Sequence, residues 1–261
     1  MKQTSKSYWT TEITPKDKLL AVDWREIWRY RDLFVLFVDR NFRTAYKQTV
    51  LGPLWFVITP VLSVFVYVAV FGGIANIPTD GVPAVLFYLL GIAVWSYFAS
   101  CLNATSNSFV TNADIFGKVY FPRIIMPLVA VTTNLLTLAI QLAVFAAFYI
   151  GYVATGTTLT LHWQVVLFPF LILLLALMAV GFGMIFSSLT TKYRDLQIML
   201  TKIIALWVYV TPVMEAVKYS LLGQGQFSWL WLGYSAACTL VLLVVGLMLF
   251  NKVQKSFMDT V

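Results

Sequence analysis

Apolar residues in this chain come in long blocks, without the strict alternation or short amphipathic period of a water-soluble fold. Six such blocks, at roughly 51–71, 82–102, 125–151, 165–189, 198–214 and 229–250, are nearly free of charge. A bilayer core about 30 Å thick needs about 20 helical residues, each rising about 1.5 Å, to cross it. The fifth block is the shortest and contains Lys202 and Pro212. It reads either as a full crossing or as a segment that only dips into the membrane. The pattern predicts an all-α integral membrane protein with six transmembrane helices.

The segment before the first block has a different period. Over residues 23–48, Trp24, Ile27, Trp28, Phe34, Phe37, Val38, Phe42 and Tyr46 recur near helical spacing, while Arg25, Arg29, Asp32, Arg40, Arg43 and Lys47 take the other side. This predicts an amphipathic helix in the cytoplasmic membrane interface, aromatic side in lipid and cations near headgroups. The alternative is a surface helix packed on the bundle. At "YKQTVLGPLWFVITP", residues 46–60, Lys47 and Gln48 end that helix, Gly52 and Pro53 let the chain turn from lying flat to crossing, and Trp55 anchors at the boundary. The expected organisation is a cytoplasmic N-terminal segment (1–22), the interface helix (23–48), a transmembrane domain (49–250) and a cytoplasmic tail (251–261).

Composition agrees with the block pattern: 60% of the 261 residues are hydrophobic and 11% charged, against about a quarter charged in soluble domains. The first 48 residues hold ten Lys or Arg against six Asp or Glu. No cleavable signal peptide is expected, because the first apolar run arrives only after them. Lys118 and Arg123 follow the second block, Lys192 and Arg194 the fourth, and Lys252 and Lys255 the last, whereas Lys218 stands alone on the opposite side. Both termini and the even-numbered connections are therefore expected to face the cytoplasm. The net charge of +7 belongs to one membrane face, and no nucleic-acid partner is expected from it.

Several function classes lose support at the residue level. The five longer blocks contain no Asp or Glu, so a membrane transferase or protease has no paired carboxylates to use there. No internal repeat suggests a secondary transporter. His162 is the sole histidine, and Cys101 and Cys238 sit in apolar runs, so no metal site is expected and both thiols read as free and buried. Asn134, Thr137 and Gln141 share a face of the third block and should look into protein as a hydrogen-bonding seam. Gly181 and Gly183 suggest close packing of the fourth, and Glu215 and Lys218 stand one helical turn apart. Pro122 disfavours helix at Phe121, so a short helix near 108–119 should end before it. No phosphate-cradling G-x-x-x-x-G-K-[ST] loop is present; the sole Gly-Lys pair is Gly117-Lys118, followed by Val119.

Five motifs in order, "RYRDLF", "YKQTVLGPLWFVITP", "NADIFGKVYFPRIIMP" (112–127), "KYRDL" (192–196) and "TPVM" (211–214), resemble those of ABC-2-type polysaccharide export permeases, the membrane subunits of O-antigen, capsule and teichoic acid ABC transporters. The likeness runs from about residue 24 to the end and departs from the pattern at Asp114 and Gly117. It implies a homodimer with two copies of a separate ATPase subunit, moving a lipid-linked polysaccharide outward across the bacterial inner membrane. ATP and Mg would be bound by that partner, with no cofactor in this chain and no catalysis of its own. The connection at 105–123 would then be a coupling element, with Asn112, Asp114, Lys118 and Arg123 toward the ATPase, the alternative being an ordinary amphipathic connection; Arg194 and Asp195 would either contact the ATPase as well or cap the adjoining helix. Residues 215–229 resemble the family's outer re-entrant hairpin before the last span.

Sugar chains are held by aromatic faces and hydrogen bonds. Phe56, Pro60, Ser63, Tyr67 and Phe71 fall on one stripe of the first span, and Ala205, Tyr209 and Pro212, with Trp207 nearby, on the fifth. These are the candidate channel residues. The competing reading is an ABC-2-type exporter of a lipid or small-molecule drug.

Overall fold

Asp23 starts the first helix. Its carboxylate accepts from the backbone N–H groups of Arg25 and Glu26, both at 3.2 Å, partnering donors that a helix start leaves open. Where one amphipathic helix was expected, two form: α1 (Trp24–Arg29) and α2 (Arg31–Tyr46), separated at Tyr30 with φ −95° and ψ 19°. The break divides the aromatic side. Phe37 is buried, with Leu33, Phe34 and Val38 alongside it against protein, and α2 packs on the helix of the third block. Trp24 and Trp28 stay outside, 71% and 70% exposed, as do Val35 and Leu36. The α2 residues around Phe37 thus pack on the bundle, while the exposed Trp24, Trp28, Val35 and Leu36 leave an apolar surface uncovered.

The computed structural model describes residues 23–47, 49–74, 79, 81–157, 162–190, 207–223 and 227–257, with backbone alone at 207–210 and 254–257. After α2, Gly52 takes φ +54°, a left-handed conformation that glycine adopts without steric cost. Pro53 follows at the start of a 3-10 turn, Gly52–Leu54, and the chain turns into α3 (Trp55–Tyr67), which widens into a π-helical segment, Val68–Ile74. Then come α4 (Ala84–Ser106), α5 (Ser108–Thr111), α6 (Ala113–Phe116), α7 (Ile125–Ala154), α8 (Phe168–Thr190, entered through a 3-10 turn at Trp163–Leu167), α9 (Trp207–Leu222) and α10 (Trp229–Phe257). Every element among the described residues is helical.

Among those residues, five helices are long and apolar enough to span a membrane: Gly52–Ile74, Ala84–Ser106, Ile125–Ala154, Trp163–Thr190 and Trp229–Val253. The chain is a multi-pass membrane protein. The start of the fifth block, including Lys202, lies outside the described residues. Its remainder, with Pro212, is one helix with residues 215–222, so the segment expected as a hairpin begins as a continuation of α9. The single helix expected near 108–119 is two short ones, with the break at Asn112, whose Nδ2 donates to the Ser108 carbonyl at 2.9 Å. Residues 251–257, expected as tail, extend α10.

Helices α4 and α8 form the centre, about half of each buried, whereas α3, α7 and α10 present most of their residues outward. Glycines set the closest approaches. A Cβ on Gly246 of α10 would stand 2.6 Å from the Gly181 carbonyl oxygen, and one on Gly183 2.5 Å from Cβ of Thr105 on α4. No real Cβ tolerates such distances, so α8 meets both neighbours at backbone range, as small-residue membrane interfaces do. At one end of the bundle lie α2, α5, α6 and the ends of α8 and α10. Ser108 and Ser187 share a hydrogen bond there at 3.2 Å, and Thr190 donates to the Ser106 carbonyl. At the other end the His162 ring meets Tyr219 at 4.5 Å, and Tyr219 meets Phe227 at 5.8 Å.

Candidate functional site

A groove of about 650 Å³ opens between α3, α4 and α9, within the size range of ligand clefts. From α3 and its π-helical extension come Tyr67 and Phe71; from α4, Phe87, Tyr88, Trp95 and Ser96; from α9, Thr211 and the charged pair discussed below. The rings form a connected wall: Tyr67 to Phe71 at 5.5 Å, Tyr67 to Tyr88 at 6.3 Å, Phe71 to Tyr88 at 6.2 Å and Phe87 to Tyr88 at 5.4 Å. Space in the middle comes from Gly91, whose absent Cβ would touch nothing within 4 Å. Tyr88 Oη is buried without a hydrogen-bond partner among the described residues.

Charge in the groove is paired. Lys218 Nζ lies 3.2 Å from Glu215 Oε1, as the one-turn spacing predicts, and 4.7 Å from the Phe87 ring centroid. This cation–π contact ties α9 to α4. Deeper in, Ser96 Oγ donates to Gln141 Oε1 on α7 at 3.3 Å. Of the polar seam expected on α7, Gln141 therefore bonds across helices. Asn134 instead donates to Ala130 of its own helix at 2.8 Å.

At the end holding α5 and α6, Asp114 and Lys118 are exposed, as are Val119 and Tyr120 beside them. Asn112 is half-buried. Arg123 is 6% exposed, with its guanidinium carbon 5.3 Å from the Phe116 ring centroid and 6.0 Å from that of Phe109. Burial lowers its pKa, with Tyr120 opposing; a guanidinium remains protonated even so.

A family model described as ABC-2 type transporter matches residues 32–238, most of the chain. The chain belongs to the ABC-2 type transporter family. It is 28% identical over 190 residues to the O-antigen export system permease protein RfbA of Myxococcus xanthus, covering 73% of this chain and 70% of that protein. Two Klebsiella pneumoniae proteins of the same description are 28% and 27% identical over 250 residues, each covering 87% of this chain and 94% of its own.

The candidate channel residues from the aromatic stripes, and the coupling residues that the resemblance implied, are dispersed. Tyr67 and Phe71 meet in the groove. Phe56 does not join them: it stacks on Phe42 of α2 at 5.4 Å with 12° between planes, bracing the corner where the chain turns into the membrane. Ser63 donates to the Thr59 carbonyl of its own helix at 3.0 Å and is no part of the groove wall. Trp207 and Tyr209 lie on α9, but their side chains are outside the described residues, and Arg194 and Asp195 fall outside them altogether. Sequence reasoning missed the α4 wall. Its signal is present, with Phe87, Tyr88 and Trp95 grouped around Gly91 at helical spacing, but aromatic residues make up 16% of the chain, so such groupings recur on helices that line nothing.

Proposed function

We propose that this chain is the channel-forming membrane subunit of an ATP-driven exporter carrying a lipid-linked polysaccharide, an O-antigen or similar surface glycan, across a bacterial inner membrane. The observation that carries this reading is the aromatic groove at Tyr67, Phe71 and Tyr88, in a chain whose relatives over 87% of its length are described as O-antigen export permeases. A moving polymer must be held weakly at many equivalent places. Flat aromatic faces do this without demanding a fixed register, and tyrosine hydroxyls add hydrogen bonds. A net charge in the wall would hold particular groups and be costly to desolvate, and here Glu215 neutralises Lys218.

The rest of the assembly follows from the same reading. The fifth block completes its crossing into α9, for six spans in all, and residues 215–229 form an outer re-entrant hairpin before the last. Two copies meet through the outward apolar face of α3, where Leu62, Phe65 and Val66 are exposed, so that their grooves share one passage. Two ATPase subunits, binding ATP and Mg, dock on the cytoplasmic connection at Asp114 and Lys118. Trp24, Trp28, Val35 and Leu36 rest in the membrane interface, an aromatic placement suited to that depth, and both termini are cytoplasmic.

Deleting the chain from its host tests the reading. Lipid-linked polysaccharide should build up inside the cell and disappear from the surface, and restoring the chain should reverse both. An unchanged surface polysaccharide in the deletion strain would overturn it.

A further inference from the structure

Five phenylalanines from three separate parts of the chain touch in series at the end of the bundle that holds α5 and α6. Phe37 of α2 lies 5.7 Å from Phe121, measured between ring centroids; Phe121 lies 5.5 Å from Phe116 of α6; Phe116 lies 6.0 Å from Phe109 of α5. Phe109 in turn stacks on Phe250 of α10 at 4.5 Å, with 25° between planes. All five are buried. Every separation is within the range of favourable ring pairs. The series joins the cytoplasmic connection to the interface helix on one side and to the last span on the other.

Arg123 sits against the middle of this series, over Phe116 and Phe109. Residues of a docking surface are exposed, as Asp114 and Lys118 are; Arg123 is not. Close-packed side chains pass a displacement on instead of absorbing it, yet neutral rings in contact can still slide past one another. A cation held over two ring faces favours one placement of both.

The geometry points to Arg123 as a positioning residue that locks the connection, the interface helix and the last span into a single rigid joint, so that a push on α5 and α6 moves α2 and α10 together. This rests on the reading that the connection is where the ATPase docks. A relay of this kind is established only by showing that the linked parts move as one.

The test uses the full chain assembled with its ATPase subunit in lipid vesicles. Arg123→Met keeps the apolar stem and removes the cation; Arg123→Lys restores a cation without the planar fork. Arg123→Met should still copurify with the ATPase but export about tenfold less polymer per ATP hydrolysed, a loss of ordinary size for coupling between sites. Arg123→Lys should recover part of it. Equal yield per ATP in Arg123→Met and the unmutated chain, or identical losses in both variants, would overturn the inference.

The docking reading is tested separately. If Asp114→Lys with Lys118→Glu leaves copurification unchanged, docking lies elsewhere, whatever Arg123 does. Should Arg123→Met not fold, spin labels on the chain with Arg123 intact decide. They are placed at Val35→Cys, Thr111→Cys and Trp163→Cys after Cys101→Ala and Cys238→Ala. The Val35–Thr111 distance should stay fixed between nucleotide-free and nucleotide-bound complexes while the Thr111–Trp163 distance changes. A change in the first, or none in either, overturns the joint.

Discussion

Gly246 and Gly91 are both glycines inside membrane helices, and they demand opposite things of a substitution. At Gly246 a methyl group would run into the Gly181 backbone, so Gly246→Ala must push α8 and α10 apart. Overpacking of this kind costs about 1–3 kcal/mol, and thermal unfolding in detergent should show the loss, while Gly151→Ala, with open space around it, should not. At Gly91, which lines the groove, an added Cβ meets nothing within 4 Å. Gly91→Leu should leave unfolding unchanged and slow polymer export in a vesicle assay. Full export with the groove filled would mean that the polymer takes another path. Tyr67→Leu completes the test, since it restores apolar volume without the flat face; export at the original rate would reduce Tyr67 to a packing residue. Gly181 and Gly183 were legible in the sequence as a close-packing pair. Gly246 was not, because the reason for it is a carbonyl on a helix some sixty residues earlier.

Single elements differ in how much of them their own residues encode. The long spans were readable directly, since a block of about 20 apolar residues states both the helix and its length. Their ends moved by a few residues, and α10 ran on to Phe257, because a helix continues past the apolar block wherever its polar residues still favour it. The amphipathic segment was readable as a period but not as two helices with separate partners, since what covers Phe37 is Phe121 and α7. The connection was least legible. A basic residue in a short connection reads as surface, whereas in the fold Arg123 is buried against the rings of Phe109 and Phe116. Asp114 and Lys118, by contrast, are exposed as expected of them. Replacing both with alanine should change stability by less than about 0.5 kcal/mol and weaken the stimulation of ATP hydrolysis by substrate. Unaltered stimulation and export would remove them from the coupling surface.

At the scale of the whole molecule, the chain belongs to the ABC-2 type transporter family, no phosphate-cradling loop occurs in its 261 residues, and the proposed function assigns ATP binding to a separate subunit. The purified chain alone should hydrolyse no ATP, and it should copurify as a dimer with a nucleotide-binding subunit; hydrolysis by the verified pure chain would break that division of labour. The most direct measurement is transport itself, in vesicles containing this chain and its ATPase, loaded on the ATP side with a lipid-linked polysaccharide and, in a parallel set, with a small hydrophobic dye. Polymer should reach the far side only when both subunits and ATP are present, and the dye should not. ATP-dependent passage of the dye with the polymer left behind would contradict the proposed function and would make the aromatic groove a drug or lipid path.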